Sequence, residues 1–479
     1  MEYEAVIGLE VHVQIRTRSK MFCACANQFG GEPNSRICPV CLGYPGVMPV
    51  MNREAIRKTV VAGLMCGCGI ADYSKFDRKS YYYPDMPKNY QISQYDLPLC
   101  SGGRIAIGGV GFSGEPLPER EIGLTRIHLE EDVAKSMHEG RHSVIDFNRA
   151  GVPLLEIVSE PDMHTPDQAY AYLTGLKQIM QYAEIGDCDM EKGQMRCDVN
   201  VSLRLRGETR LGTKIEIKNL NSFRAVHRSL EYEIERQAEA LDSGQALHQE
   251  TRRWDDAGGR TTLMRSKEQA HDYRYFPEPD LMPLQLDAQW KQEIADALPE
   301  APADRRRRFA GDYRITEYDA AVLTQERGLA DFYESAAAGG GNPKLIANWT
   351  ITELLRELNE RSLQIGACPC RPEHLGELVA IIEDGTISSK IAKTVLAEML
   401  DSGQPPKAIV EAKGLKQMSN TEELEKIALA TIGENPKPVA QYREGTGKAL
   451  QFLVGQIMKK TRGQANPKLA VELLKKHLD

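Results

Sequence analysis

The sequence predicts an α+β protein: a domain built on an antiparallel sheet, then an all-α helical domain, then a small all-α tail. Three observations carry this. Alternating apolar and polar residues recur in four separate stretches before residue 290. Helix-period patterning takes over from about residue 295. Gly403-Gln-Pro-Pro406 then breaks the helical half, because a glycine and two prolines end a helix. The expected domains are therefore 1–294, 295–403 and 408–479.

Each strand is read from its alternation. In residues 5–15 the odd positions are Ala5, Ile7, Leu9, Val11, Val13 and Ile15, while Glu10, His12 and Gln14 share the other face. Side chains on one face of a strand are about 6.8 Å apart. Residues 195–206 repeat the design, with Arg196, Asp198, Asn200, Ser202 and Arg204 on the polar face. Residues 213–218 put Lys214, Glu216 and Lys218 opposite Thr213, Ile215 and Ile217, after a turn at 207–212. Asp198 and Glu216 are then expected on one face of adjacent strands. In residues 124–132, strict alternation puts His128 and Glu130 on the wet face and Glu131 on the other. A bulge would blur that assignment, so Glu130 and Glu131 both stay candidates.

Two helices are signalled among these strands. Thr165-Pro166-Asp167-Gln168 supplies an N-cap, a first-turn proline and a capping-box glutamine. Ala169, Leu173, Leu176 and Met180 form its stripe, and Gly186 is expected to end it. The second helix follows Ser222, with Val226, Leu230 and Ile234 in line. Later helical segments are read at 318–338, 344–361, 374–383 and 388–400.

Composition bounds the function. The chain has 479 residues, 41% hydrophobic and 27% charged, which suits a soluble globular protein. Its formal net charge of −8 excludes a protein that coats nucleic acid over its whole surface, but permits a local basic patch. No apolar run is long enough to cross a bilayer, and Met1-Glu-Tyr-Glu-Ala lacks the start of a signal peptide. A cytoplasmic protein with no membrane partner is expected.

Acids are depleted in strands, and several of them on one face repel unless a cation compensates. A Mg²⁺ site and a merely solvated face both remain open readings of this pattern. Mg²⁺ prefers hard oxygen ligands and commonly shares them with nucleotide phosphates; Mn²⁺ can substitute. No G-x-x-x-x-G-K-[ST] loop is present. Gly109-Val-Gly111-Phe-Ser-Gly114 is followed by Pro116 and Pro118, so it is read as a turn. Residues 79–91 pack aromatics, two prolines, Lys79 and Lys88 into one segment, read either as a rigid loop or as one offering a lysine to phosphate.

The 11 cysteines are unevenly spaced, which argues against a secreted disulfide framework. Twelve residues separate the pair Cys23 and Cys25 from the pair Cys38 and Cys41. Two close pairs of thiolates can close a tetrahedral Zn²⁺ shell with no open position, so a structural zinc is expected.

Long motifs carry a family resemblance. Ile7-Gly-Leu-Glu-Val-His-Val-Gln14, Cys38-Pro-Val-Cys-Leu-Gly-Tyr-Pro-Gly46, residues 83–94, His128-Leu-Glu-Glu-Asp132, residues 195–202, residues 215–223 and Asp272-Tyr-Arg-Tyr-Phe-Pro-Glu-Pro-Asp280 resemble the B subunit of the bacterial GatCAB amidotransferases. Residues 449–458 and 465–468 are similar to that family's C-terminal domain. The resemblance covers nearly the whole chain. It implies a cradle-shaped kinase and transamidase domain, a helical domain and a tRNA-contacting tail. It implies ATP- and Mg²⁺-dependent phosphorylation of the side-chain carboxylate on Glu-tRNA(Gln) or Asp-tRNA(Asn), then attack by ammonia. The ammonia implies a glutaminase A subunit and a small C subunit as partners.

Combined with the strand reading, the expected Mg²⁺ ligands are Glu10, His12, Glu131 and Glu216, with Glu130 and Asp198 as further catalytic candidates. Lys79, Lys88, Asn200 and Lys218 are candidates for phosphate or nucleotide. Lys459, Lys460, Arg462 and Lys468 are the expected tRNA contacts in the tail, against a plain solvated helix face.

Overall fold

The computed structural model describes residues 3–266, 273–416, 421–443, 447–461 and 465–478. The chain divides into two compact units, Met1–Ala301 and Pro302–Asp479.

The first unit is organised by one large sheet. Its main strands are β1 (Tyr3–Gln14), β2 (Pro116–Glu131), β3 (Pro153–Ser159), β4 (Met195–Leu205), β5 (Ile215–Leu220), β6 (Glu250–Asp255) and β7 (Arg260–Ser266). Among the described residues the order is β7-β6-β5-β4-β1-β3-β2, followed by the two-residue strands Cys100–Ser101 and Gly69–Ile70. Arg104–Val110 pairs with β2 off that path. Every pairing is antiparallel except β5 with β6. β1 lies in the middle, so His12 is opposite Glu156 of β3 on one side and Arg196 of β4 on the other.

Alternation decides the faces, as the sequence predicts. Ile7, Leu9, Val11 and Val13 of β1 join Val199, Val201, Ile215, Ile217, Ile127 and Ile157 in one buried cluster. Helices α1 (Pro166–Tyr182) and α2 (Phe223–Asp242) close that face with Leu173, Leu176, Met180, Val226 and Leu230. Both caps are made as expected. Thr165 accepts from Gln168 N–H and Ser222 from Ala225 N–H. The Gln168 carboxamide in turn accepts from His164 N–H at 2.7 Å.

The end of α1 differs from the expectation. It stops at Tyr182, and Glu184 turns the chain with a φ of 54°. Gly186 is needed for another reason: a Cβ there would lie 2.4 Å from the Gln14 carbonyl oxygen. The formal G-x-G-x-x-G is a hairpin turn, closed by Gly114 N–H to the Gly111 carbonyl, as its prolines suggest.

The polar face of the sheet is not left to solvent. A small antiparallel sheet forms from Phe276–Pro277, Asp77–Ser80 and Tyr90–Ser93, so the lysine- and tyrosine-rich segment is a loop over residues 81–89 held at both ends by a strand pair. Ser93 of this sheet donates to Glu130 on β2.

In the second unit, one core holds residues from Phe309 to Val410 and another holds residues from Leu424 to Leu478. The stretch read at 318–338 is two helices, Glu317–Leu323 and Arg327–Ala338, because the Thr324 hydroxyl bonds back to the Ala320 carbonyl at the break. Residues 344–361 contain a π-helical turn at Thr350–Leu354. Gly403 ends its helix in the left-handed region, φ 68°, and Pro406 starts the next. Ile409 and Val410 of that next helix pack into the first of the two cores. Among the described residues no helix is long and apolar enough to cross a membrane.

Leu176 is fully buried between α1 and the sheet. Leu176→Ala should lower the unfolding free energy by about 2–5 kcal/mol, from lost burial plus the cavity left behind. Urea denaturation followed by tryptophan fluorescence measures it.

Candidate active site and cysteine cluster

The sheet register brings acids from three strands to one imidazole. His12 Nε2 lies 3.9 Å from Glu10, 3.7 Å from Glu130 and 3.5 Å from Glu156. His128 Nε2 lies 3.8 Å from Glu130 and 3.6 Å from Glu156. Glu10, His12 and Glu156 each present a ligand atom within 4.8 Å of the others, and so do His128, Glu130 and Glu156. Glu130 and Glu156 are almost fully buried, while Glu10 is half-buried.

Cations rim the cluster. Lys79 Nζ is 3.9 Å from Glu130 and 5.3 Å from the centre of the Tyr273 ring. Arg126 bonds His128 Nδ1 at 3.3 Å and stands 3.5 Å from Glu156. Lys218 pairs with Asp198 and stands 3.2 Å from Glu216.

The ionisation balance shows how strong the field is. Burial disfavours the His12 cation, yet the hydrogen bond with Glu156 and the charges of Glu156, Glu130 and Glu10 raise its pKa to about 9. Burial also opposes charge on Glu156, but His128 and His12 hold it well below the usual carboxylate range. Glu130 is lowered too, by Lys79 and His128 against its burial. Glu10 goes the other way: burial and repulsion from Glu156 raise it. It is the acid whose charge the protein compensates least. A divalent cation beside Glu10 would relieve that deficit. The donor set, carboxylates with an imidazole, therefore fits Mg²⁺ and suits Mn²⁺ better.

The residues singled out in the sequence are gathered only in part. Glu10 and His12 stand in the cluster. Of the pair left open, Glu130 lies on the His128 side of β2. Glu131 lies on the opposite pleat, where it accepts from Lys88 and from Ile92 N–H at 2.9 Å. It lines a cavity there with Phe22, Cys23, Cys41 and Lys88. Glu216 stands on β5 with Lys218 and the Thr251 hydroxyl, outside both ligand groups. Asp198 is directly opposite Glu10, Glu216 is opposite Asn200, and Lys218 meets both Asp198 and Glu216 on the face they share.

Sequence reasoning missed Glu156. Its strand, Pro153-Leu-Leu-Glu-Ile-Val-Ser159, is buried on both faces and shows no alternation. A single acid within an apolar run was the available signal.

The second cluster sits in the loop after β1. The sulfurs of Cys23, Cys25, Cys38 and Cys41 all lie within 4.8 Å of one another. A tetrahedral zinc–thiolate shell needs separations of about 3.8 Å, given Zn–S bonds of about 2.3 Å. The hydrogen bond from Cys23 overcomes burial to bring the Cys41 thiol down to about 5, helped by Cys38 N–H at 3.1 Å and by the Lys20 charge. Burial raises Cys25 to about 11, and the hydrogen bond to Cys41 raises Cys23. One thiolate thus forms and discourages the next, a conflict that a bound zinc would remove. The cluster can hold zinc.

In the tail, Lys459 and Lys460 end the helix Gly447–Lys460, and Lys468 lies in the first turn of Pro467–Leu478. Lys459 and Lys468 are exposed, while Lys460 pairs with Glu434 at 2.7 Å. Arg462 lies outside the described residues.

Comparison with known proteins bears on this geometry. Residues 5–292 match the GatB/GatE catalytic domain, and residues 331–478 match the GatB domain. The B subunit of the aspartyl/glutamyl-tRNA(Asn/Gln) amidotransferase from Thermoanaerobacter pseudethanolicus is 53% identical over 479 residues, covering 100% of both chains. The chain belongs to the family of these amidotransferase B subunits. The family member from Carboxydothermus hydrogenoformans is 54% identical over 482 residues, covering 100% of this chain and 99% of its own. That from Gloeothece citriformis is 49% identical over 485 residues, covering 100% and 98%. The buried acid cluster falls inside the stretch that matches the family's catalytic domain.

Elemental analysis of the purified protein should find about one zinc per chain, from four thiolates closing one shell. Cys41→Ser should abolish that zinc and lower the thermal midpoint. Full zinc occupancy in Cys41→Ser is the contrary result.

Proposed function

We propose that the chain amidates the side-chain carboxyl of Glu-tRNA(Gln) or Asp-tRNA(Asn) in two steps. The carboxylate attacks the γ-phosphorus of ATP, the bond to the β,γ-bridging oxygen breaks, and ADP leaves with that electron pair. Ammonia then adds to the acyl carbon, loses a proton, and expels phosphate. A carboxylate is a poor acyl donor, and the first step supplies its leaving group.

One observation supports this most: acids from β1, β2 and β3 converge on His12, with lysines at the rim. Glu10, His12 and Glu156 would hold Mg²⁺ or Mn²⁺, His12 releasing its proton as the ion binds, with Glu130 beside them. When bound, such an ion supplies positive charge against phosphate oxygens. Lys79 would hold phosphate oxygens at the rim of the acids, whereas Lys218 is held by Asp198 and Glu216. Arg126 orients His128 by a hydrogen bond. Lys88 is committed to Glu131 and stands apart from this phosphate set. The sequence lacks an amidase signature rich in glycine and serine, so ammonia comes from a glutaminase A subunit, assembled with a small C subunit. The sheet unit would carry the chemistry, and the core formed by residues from Leu424 to Leu478 would meet tRNA.

Glu156→Gln should cut tRNA-dependent ATP hydrolysis by about 100-fold or more, since loss of a metal ligand costs at least what loss of its supporting partner does. Binding of tRNA, measured by filter retention, should persist. Hydrolysis at the wild-type rate would leave only a tRNA-binding scaffold.

Lys459→Ala combined with Lys468→Ala should weaken tRNA binding and reduce its dependence on salt, with a slope smaller by up to about 2. Titration at several salt concentrations reads this. An unchanged slope would make these lysines a solvated face.

A further inference from the structure

The loop that carries the cysteine cluster also carries a buried lysine. Lys20 is only 1% exposed. The backbone fixes where its side chain starts. Lys20 N–H donates to the Cys25 carbonyl at 2.9 Å, and Met21 N–H donates to the Gly151 carbonyl at 2.7 Å. The ammonium then lies 3.7 Å from Cys41 Sγ and 3.3 Å from the Phe147 carbonyl oxygen. Among the described residues no carboxylate stands within ion-pair distance of it. Glu131, which lines the neighbouring cavity with Cys41, is paired with Lys88.

Lysine side chains ordinarily keep the charged head in water. A buried ammonium beside only a carbonyl and a sulfur is costly unless that sulfur carries negative charge. A divalent zinc held by four thiolates leaves negative charge in excess, because the sulfurs outweigh the ion. The loop offers little water to disperse that excess: Cys41 is buried, and Cys23, Cys25 and Cys38 are half-buried. The shell's excess charge and the Lys20 ammonium therefore compensate each other. Cys38 N–H, donating to Cys41 Sγ at 3.1 Å, adds to the positive field at the same sulfur. Groups that support a metal ligand in this way change metal affinity by about 10–100-fold when they are removed.

We propose that Lys20 is the resident counter-ion of the zinc–thiolate shell: its ammonium offsets the excess negative charge at Cys41 and so holds the metal in place. This rests on the zinc assignment for Cys23, Cys25, Cys38 and Cys41. Lys20 acts through Cys41 and is a positioning residue. The Phe147 carbonyl that it also bonds accepts from Ala150 N–H, within the turn that leads into β3. One side chain thus joins the metal shell to the strand that carries Glu156.

The test uses the full-length chain, reduced and loaded with zinc. Transfer of zinc to a chromogenic chelator gives a release rate, and thermal melting is recorded with the metal and after its removal. Lys20→Met removes the charge and the donor. Lys20→Gln removes the charge but keeps a donor for the Phe147 carbonyl, and Lys20→Arg keeps both. Lys20→Gln and Lys20→Met should release zinc at least tenfold faster than wild type, and Lys20→Arg within threefold of it. The gain in thermal midpoint on zinc binding should shrink in Lys20→Gln and persist in Lys20→Arg. If Lys20→Met does not fold, Lys20→Gln decides. A lysine that only ties down the Phe147 carbonyl leaves Lys20→Gln releasing zinc at the wild-type rate, and that result overturns the proposal. Equal losses of midpoint with and without zinc, at an unchanged release rate, overturn it too. A wild-type chain that takes up no zinc removes the metal assignment and the proposal together.

Discussion

Like charges held close together away from water set the terms for this protein. Glu10, Glu130 and Glu156 stand around His12, and two of these acids are buried. Unpaired ionised carboxylates in such a place are prohibitively costly, so the structure must supply positive charge or a proton. It supplies positive charge through His12, Arg126 and Lys79. The small sheet that covers this face exists in part to deliver Lys79 and Ser93 to Glu130. Compensation is nearly complete at Glu130 and Glu156 and incomplete at Glu10. Glu10 is therefore the acid of the three at which added positive charge would relieve the cluster most.

Much of this was legible because strands alternate. The period of two assigned Glu10 and His12 to one face and predicted the apolar cluster behind them. It also placed Glu130, and not Glu131, with His128, once no bulge interrupted β2 at that point. Three things were not legible. Glu156 hides in a strand buried on both faces, where alternation carries no information. The bulge in the β4–β5 pairing changes which residue is opposite Asp198, and nothing in the sequence marks it. The covering sheet pairs residues near 78 with residues near 276, and pairing at that separation leaves no local trace. Helix starts were read more reliably than helix ends. Thr165 and Ser222 cap by side-chain chemistry, whereas α1 stops short of its glycine.

The two sites share β2. Glu130 faces the acid cluster, and Glu131, the next residue, faces the cavity that Cys23 and Cys41 help to line. The cysteine loop also touches the sheet's end through Lys20, which lies 3.7 Å from Cys41 Sγ and 3.3 Å from the Phe147 carbonyl. Order in that loop and the position of β2 are thus parts of one packing problem. A loop without a core of its own gains a fixed shape when its thiolates close on a metal.

The spread of the active residues along the chain has a developmental consequence. His12, Glu130, Glu156 and Lys218 come from β1, β2, β3 and β5, so the site consists almost entirely of distant pairings. Contacts of that kind form late, after long loops have closed. The acid cluster therefore takes shape only once β1 has paired with β3 and β3 with β2.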